Sequence, residues 1–272
     1  MVATAVRYLR EAVADAARQL EDAGCATPRL DAELLVAAAL GTPREQIHLD
    51  SRRLLNNDVE AAIATLVRRR AAREPIAYIL GRRAFRRIEL EVDPRVLVPR
   101  PETELLVDAA IGLPDGARVH EVGTGSGAVA LAIKDERPDL GVTASDTSPE
   151  AVEVARRNAA RLGVDVEIER AADLPAGAAG ADLVVANLPY VREDEWPDLA
   201  PEITRYEPRG ALVAGPRGLE AIEALVVSAP SRIRVALEHA PSQAEAIRGV
   251  LAGGTTLRDL AGLERVTVGH IP

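Results

Sequence analysis

Apolar positions recur at helical spacing along the first part of the chain. Val6, Leu9, Val13, Ala17 and Leu20 fall on one face of a helix. Leu30 to Leu40 predicts a second helix, ended by Gly41. Thr42-Pro43-Arg44-Glu45 predicts the start of a third, with Thr42 as cap, Pro43 at the first helical position and Glu45 completing a capping box. A further helix is predicted from about Val59 to Arg73, capped by Asn57. No strand pattern interrupts this region, so residues 1–75 read as a small helical domain.

The pattern changes over residues 76–98. Phe85, Ile88, Leu90 and Val92 alternate roughly in period two, and Val96-Leu97-Val98 is a short apolar run, which predicts a β-hairpin linker. Pro99 and Pro101 then stop regular structure. Beyond them, residues 99–272 read as a second domain in which strand and helix patterns alternate. Strands are predicted at Arg118–Val122, Gly141–Ser145, Val164–Ile168, Leu183–Ala186 and Ile233–Leu237, with two more near Thr256–Leu260 and Arg265–His270. Such alternation predicts an α/β class with a mostly parallel sheet covered on both faces. In that class ligands sit at the carboxyl ends of the strands, so the loops that follow strands are where chemistry is expected.

Composition narrows the picture. A length of 272 residues suits one large domain, or one domain with a small partner. Aromatics are only 2% of the chain, so Leu, Val, Ile and Ala must pack the core and each aromatic inside a motif gains weight. The formal charge, 33 − 42 = −9, argues against a duplex nucleic-acid surface, and no stable nucleic-acid binding is expected. The single cysteine, Cys25, excludes an internal disulfide and fits a reducing cytosol. His48, His120, His239 and His270 are scattered, and with no Cys or His cluster at ligand spacing no metal is expected. No basic-then-apolar leader pattern and no run near the roughly 18 apolar residues of a membrane span are present. A cytoplasmic monomer is the expectation.

The first predicted strand of the second domain ends in Glu121-Val122-Gly123-Thr124-Gly125-Ser126-Gly127, and a helical pattern follows. Glycines let the backbone turn sharply and approach a ligand, and the helix start adds free N–H groups. Glycine-rich turns also serve plain strand–helix connections, so the loop alone decides little. Context adds to it. Asp146 stands nineteen positions after Gly127, at the end of the next strand, with Thr147 beside it. A carboxylate there can accept both ribose hydroxyls of an adenosine. It could instead cap a helix, but Ser148-Pro149 already supplies a cap and a first helical residue. The loop has GxGxG spacing, and Glu121 would repel a pyrophosphate yet attract the ammonium of a methionine moiety. This favours S-adenosylmethionine over a nicotinamide cofactor.

After the fourth predicted strand comes Asn187-Leu188-Pro189-Tyr190. A planar amide or exocyclic amine is a poor nucleophile, because its lone pair is delocalised. Two acceptors aimed at its two N–H bonds can turn that lone pair toward a methyl donor. The Asn187 side-chain oxygen is one, and the Leu188 backbone carbonyl is the other. Pro189 restricts Leu188 and so fixes that carbonyl. Tyr190 can stack on the planar group. The gain is a near-attack geometry, with no strong base required. A strand end running into an ordinary proline turn is the plain alternative.

At this point the sequence resembles the peptide chain release factor glutamine N5-methyltransferases. The likeness runs over nearly the whole chain. It is carried by Arg73-Glu74-Pro75-Ile76-Ala77-Tyr78-Ile79-Leu80-Gly81, by the specific run Val96-Leu97-Val98-Pro99-Arg100-Pro101-Glu102-Thr103-Glu104, and by the glycine loop with Asp146, Asn158 and Asp173-Leu174. Glu207-Pro208-Arg209, Ala211-Leu212, Glu238, Gln243, Asp259-Leu260-Ala261-Gly262 and Arg265-Val266 extend it to the end. The resemblance implies a substrate-recognising helical domain, a hairpin linker and a seven-stranded Rossmann-like methyltransferase sheet. It implies S-adenosylmethionine as cofactor and S-adenosylhomocysteine as product, with adenine contacts at Asp173 and Leu174. The implied substrate is the glutamine of the Gly-Gly-Gln loop of class I release factors. Two positions depart from the family pattern: Leu188 replaces a proline, and Glu121 replaces an aspartate.

Three rival functions share some of these features. An RNA adenine-N6 methyltransferase would also use Asn-Leu-Pro-Tyr, but the net charge of −9 and the Pro-Arg-Pro-Glu-Thr-Glu run oppose it. A glutamine methyltransferase acting on a ribosomal protein shares the tetrapeptide but matches less well at residues 101–104. A catalytically idle binding module does not account for Asn187, Tyr190 and Asp146 together. Finally, Arg68, Arg69, Arg70, Arg73, Arg82, Arg83, Arg86 and Arg87 cluster around the linker, either as a solvated face or as a docking patch for an acidic partner.

Overall fold

The computed structural model describes residues 7–272. Val6, placed on the first helix by its spacing, lies outside the described residues. The chain divides into two compact units, one running to Gly81 and including Pro201–Tyr206, the other formed by the remainder.

The first unit holds α1 (Leu9–Asp22), α2 (Pro28–Leu40), α3 (Arg44–Leu49), α4 (Asn57–Ala71) and α5 (Ile76–Leu80). Leu9, Val13 and Leu20 of α1 are buried against Ala32, Leu35 and Val36 of α2 and against Ile63 and Val67 of α4. Gly41 ends α2 in the left-handed conformation, as its position suggested. Two caps differ from expectation. Asn56, not Asn57, caps α4, accepting from the Val59 N–H at 2.9 Å. No capping box opens α3: Pro43 takes the cap position, and the Thr42 hydroxyl is buried without a hydrogen-bond partner among the described residues. In both places the packed backbone puts the cap position one residue away from the expected one.

Arg70 is buried in this unit. It donates to Asp31 at 2.7 Å, to Glu202 at 2.9 Å and to the Glu74 carbonyl at 3.1 Å. Arg73 closes a bidentate pair on Glu202, at 2.7 and 2.6 Å. The helix Pro201–Tyr206 therefore belongs with residues more than a hundred positions earlier. Asp31 is only 2% exposed, so removing Arg70 leaves a buried charge uncompensated. Arg70→Ala is expected to cost about 3–5 kcal/mol, read as a lowered denaturant midpoint with unchanged slope.

The second unit opens with a hairpin of β1 (Arg82–Phe85) and β2 (Ile88–Glu91), in register Phe85↔Ile88. Arg86 in its turn has φ +52 and is held by Glu136 at 2.7 Å and Asp108 at 2.8 Å. The arginines around the linker are thus largely engaged internally: Arg69 pairs with Glu74 and Arg82 with Glu89, beside the pairs of Arg70, Arg73 and Arg86. Internal pairing of this kind favours the solvated-face reading over a free docking patch.

The main sheet follows, from α6 (Glu104–Ile111), β3 (Arg118–Val122), α7 (Ala128–Glu136), β4 (Gly141–Asp146), α8 (Pro149–Leu162), β5 (Glu167–Arg170) and β6 (Leu183–Ala186). A short parallel pair comes next, β7 (Val191–Arg192) with β8 (Val213–Gly215), and α9 is the helix Pro201–Tyr206 between them. The chain ends with α10 (Glu220–Ser228), β9 (Arg234–Glu238), α11 (Ala244–Val250), β10 (Ala252–Arg258) and β11 (Glu264–His270). Seven strands form one sheet in the order β10-β11-β9-β6-β3-β4-β5. The five neighbouring strands β5, β4, β3, β6 and β9 run parallel, and β11 alone is reversed, pairing antiparallel with both β9 and β10. This is the expected α/β architecture. The third predicted strand starts at Glu167 instead of Val164, because Gly163 closes α8 and Val164 is taken up in that closure. The order reverses at β3: β4 and β5 lie to one side, β6 and β9 to the other. The crevice at the carboxyl ends of β3, β4 and β6 is the place such a sheet offers to a ligand.

Candidate active site

β3 runs out at Val122 into Gly123, Gly125 and Gly127, with φ of +75, +56 and +86. At Gly127 the requirement is double. It starts α7 from the left-handed region, and a Cβ there would meet Leu131 Cδ1 at 2.8 Å. The loop is tied to the end of β4, since the Gly123 and Thr124 N–H groups donate to the Ser145 carbonyl at 2.9 and 3.0 Å.

Asp146 ends β4 and organises this crevice. One carboxylate oxygen accepts from the Gly125 N–H at 2.9 Å, the other from the Ser148 N–H at 2.9 Å. Ser148 caps α8, accepting from the Ala151 N–H at 3.1 Å, and Pro149 follows at the first helical position, as the sequence suggested. A carboxylate has about four acceptor sites, so two remain for hydroxyl donors.

Glu121 is 3% exposed and points back into the loop. Its Oε2 accepts from the Thr124 hydroxyl at 2.6 Å and from the Ala130 N–H at 2.9 Å. Burial pushes its pKa up to about 7, against these two bonds, with nearby Asp146 adding to the rise.

These residues border a cavity of about 470 Å³, within the roughly 300–1,000 Å³ usual for small-molecule sites. Of the residues singled out in the sequence, Glu121, Gly123, Thr124, Gly125, Ser126, Asp146, Thr147, Asp173, Asn187, Leu188 and Pro189 line it. Three do not. Gly127 is buried at the start of α7, Leu174 packs into the apolar cluster of β6, β9 and α10, and Tyr190 turns away toward Glu238, with its hydroxyl 3.4 Å from Glu238 Oε1. Trp196 does not line the cavity either; the Arg209 guanidinium lies over its ring at 5.7 Å.

Asn187 follows β6 directly. Its Nδ2 donates to the Thr103 hydroxyl at 3.1 Å. Leu188 packs with the β6–β9 cluster, and its Cδ2 would lie 3.1 Å from a Cβ on Gly123. The residue in the proline position thus supports the glycine loop. Gln243 holds the end of the tetrapeptide, donating to the Tyr190 carbonyl at 2.9 Å and to the Gly218 carbonyl at 3.0 Å.

Some site residues were not assigned from the sequence. Val96, Leu97, Pro99, Arg100 and Thr103 line the cavity, so the Pro-Arg-Pro-Glu-Thr-Glu run forms one of its walls. Arg100 pairs with Glu207 at 2.7 Å, and Glu104 accepts from the Arg86 N–H at 3.1 Å. Asn158, fully buried, donates to the Ser126 and Glu91 carbonyls, each at 2.9 Å, and so clamps the glycine loop to the hairpin. The resemblance had placed Asn158 on the cofactor side, and it acts there as a support for the loop and does not line the cavity.

The donor set fits S-adenosylmethionine. A cradle of glycines, a carboxylate with free acceptor sites at the end of β4 and a second carboxylate at the loop share one adequate cavity. Among the described residues no group of acidic, His and Cys side chains could hold a metal ion, and no helix is long and apolar enough to cross a membrane.

Comparison with known proteins agrees. Residues 11–81 match the family model described as the PrmC N-terminal domain, and residues 119–209 match a methyltransferase domain. The chain is 40% identical over 256 residues to the release factor glutamine methyltransferase of Neisseria gonorrhoeae, covering 89% of this chain and 93% of that protein. It is 42% identical over 265 residues to the release factor glutamine methyltransferase of Pseudomonas aeruginosa, covering 93% and 95%. In fold alone it is similar to the hMettl16 catalytic domain solved with a MAT2A 3′UTR hairpin, with a TM-score of 0.51 at 12% identity over 67% of this chain and 75% of that one. The chain belongs to the release factor glutamine methyltransferase family and is an S-adenosylmethionine-dependent methyltransferase.

Proposed function

We propose that this enzyme methylates the N5 side-chain amide nitrogen of glutamine in the Gly-Gly-Gln loop of class I peptide chain release factors. The observation that carries the reading is the tethered Asn187. Its Nδ2 is engaged by Thr103, which leaves its oxygen to accept an N–H of a substrate amide at the cavity wall. The Leu188 carbonyl accepts the second N–H, and Pro189 holds that carbonyl in an extended backbone. Two acceptors on one amide turn the nitrogen lone pair out of conjugation and toward the methyl donor. When bound, S-adenosylmethionine supplies the methyl group and leaves as S-adenosylhomocysteine. The amide proton is lost to solvent after transfer, so no side chain has to serve as a strong base.

For the cofactor, Asp146 accepts the ribose hydroxyls, the glycine loop approaches the methionine moiety, and Asp173 stands at the adenine end. Glu121 faces the ammonium. That assignment has a pH signature. Glu121 must be ionised to attract an ammonium, and in the free protein burial raises it to about 7. Affinity for S-adenosylhomocysteine is therefore full above that pH and falls as pH drops, by up to about tenfold per unit. Calorimetry across about pH 5.5–8 on wild type and Glu121→Gln reads it, with the dependence lost in the variant. An equally steep loss in Glu121→Gln would remove Glu121 from the contact.

The helical domain of residues 1–75 recognises the release factor, the linker of 76–98 joins it to the catalytic domain of 99–272, and the protein works as a cytoplasmic monomer with no stable nucleic-acid partner. The test is methyl transfer from labelled cofactor to an intact release factor, to the same factor with its loop glutamine changed to alanine, and to total ribosomal RNA. Label on the intact factor alone is expected. Label on RNA would move the function to an adenine-N6 methyltransferase, and label surviving the alanine change would move the target residue.

A further inference from the structure

Gln243 uses its whole side-chain amide. It stands in the turn Pro241–Gln243 that leads into α11. Its Nε2 donates to the Tyr190 carbonyl at 2.9 Å and to the Gly218 carbonyl at 3.0 Å, and its Oε1 accepts from the Ala240 N–H at 3.0 Å. Carbonyls only accept and a backbone N–H only donates, so a single orientation of the amide satisfies all three partners. Three segments thus meet on one side chain: the tetrapeptide after β6, the loop between β8 and α10, and the end of β9. Gly218, at φ +73, leaves room for this. A Cβ there would stand 2.5 Å from the Tyr190 oxygen and 2.8 Å from Gln243 Nε2.

The Ala240 end is fixed in turn. Burial holds the His239 imidazole neutral by lowering its pKa. Its Nδ1 donates to the Ala240 carbonyl at 2.9 Å, which leaves Nε2 to accept from the Thr267 hydroxyl at 2.9 Å. With the Thr267 proton so engaged, Thr256 donates to Thr267 at 2.9 Å and accepts from Arg248 at 2.9 Å. The clamp is therefore rooted in β10, β11 and α11. Gln243, Gly218 and Ala240 all lie off the lining of the cofactor cavity.

We propose that Gln243 is a positioning residue for methyl transfer, pinning the downstream end of Asn187–Tyr190 so that the Leu188 carbonyl stays aimed at the substrate amide. This rests on the glutamine reading of the site. The ring of Pro189 locks its φ, so the Leu188 carbonyl can swing only if the chain on one side moves with it. Upstream, the pairing of β6 and the Thr103 bond hold Asn187. Downstream, Gln243 holds the Tyr190 carbonyl, and the Leu212 carbonyl accepts from the Val191 N–H at 2.9 Å. Loss of Gln243 frees the Tyr190 peptide, and the segment can then carry the Leu188 carbonyl out of line.

Gln243→Met fills about the same space without the hydrogen bonds. It is expected to lower kcat on the release factor by about tenfold or more, with S-adenosylhomocysteine affinity within about threefold of wild type. Gln243→Glu gives a sharper reading within one folded protein. When ionised, its second oxygen confronts the Tyr190 and Gly218 carbonyls, acceptor against acceptor. That contact disfavours ionisation, and as pH falls the side chain gains a proton to donate to one of them. The ratio of its kcat to that of wild type, at saturating cofactor, should therefore rise as pH falls, while the Gln243→Met ratio stays flat. A readout free of substrate is the backbone amide resonance of Leu188 in the S-adenosylhomocysteine complex. It shifts in Gln243→Met, and that of Gly125 does not. Full kcat in Gln243→Met, a Gln243→Glu ratio that ignores pH, or an unmoved Leu188 resonance would each overturn the clamp. A wild type that leaves the release factor unlabelled would overturn the substrate assignment instead, with the Leu188 resonance still deciding the clamp.

Discussion

Asn187→Ala is expected to lower kcat by about 100-fold or more and to leave cofactor affinity within about threefold of wild type. The asymmetry follows from the position of the side chain. Asn187 lines the cavity, yet its one observed side-chain bond goes to Thr103, away from the glycine loop and Asp146. Removing it takes away one of the two acceptors that turn the substrate nitrogen, and a nitrogen left in conjugation attacks poorly. Single-turnover kinetics with bound cofactor separates this from a binding defect. A variant that lost cofactor affinity but kept its turnover per bound cofactor would place Asn187 in the cofactor site.

Asp146→Ala is expected to do the reverse, weakening S-adenosylhomocysteine binding by about 100-fold or more. The carboxylate is assigned two ribose hydroxyls, and hydrogen bonds to a charged group contribute about 1.5–3 kcal/mol each. It also holds the Gly125 and Ser148 N–H groups, so the same change loosens the cradle itself. Asp146→Asn keeps one acceptor oxygen and should fall between. Calorimetry measures both variants, and a change below about threefold for Asp146→Ala would mean that the ribose is held elsewhere.

The parts of the fold legible in the sequence are those with strong local periodicity. The strands from β3 to β6 and the loop at Gly123–Gly127 follow from alternation and from glycine placed at a strand end. Boundaries shifted where two local signals compete, as at Asn56 beside Asn57 or Val164 after Gly163. The site divides in the same way. Asp146 ends a strand and Asn187 directly follows one, and both could be read from that alone. The role of Thr103 could not, because it comes from Asn187, far along the chain; Asn158 was singled out only through the family resemblance, and its meeting with Glu91 comes from equally far away. Tyr190 shows the converse case. Its place in the tetrapeptide suggests stacking on the planar group; the structure shows its hydroxyl 3.4 Å from Glu238 Oε1 and its side chain off the cavity lining.

Glu202 has a consequence for the order in which the molecule is made. It is separated from Arg70 by 132 positions, yet pairs with it in a part-buried cluster. At about 5–20 residues per second of synthesis, the ribosome needs on the order of ten seconds between the two. During that interval the helical segment has Asp31 but not Glu202 against Arg70, and Arg73 lacks its bidentate partner altogether. The first unit is therefore finished late, after the glycine loop and the first four parallel strands have already emerged.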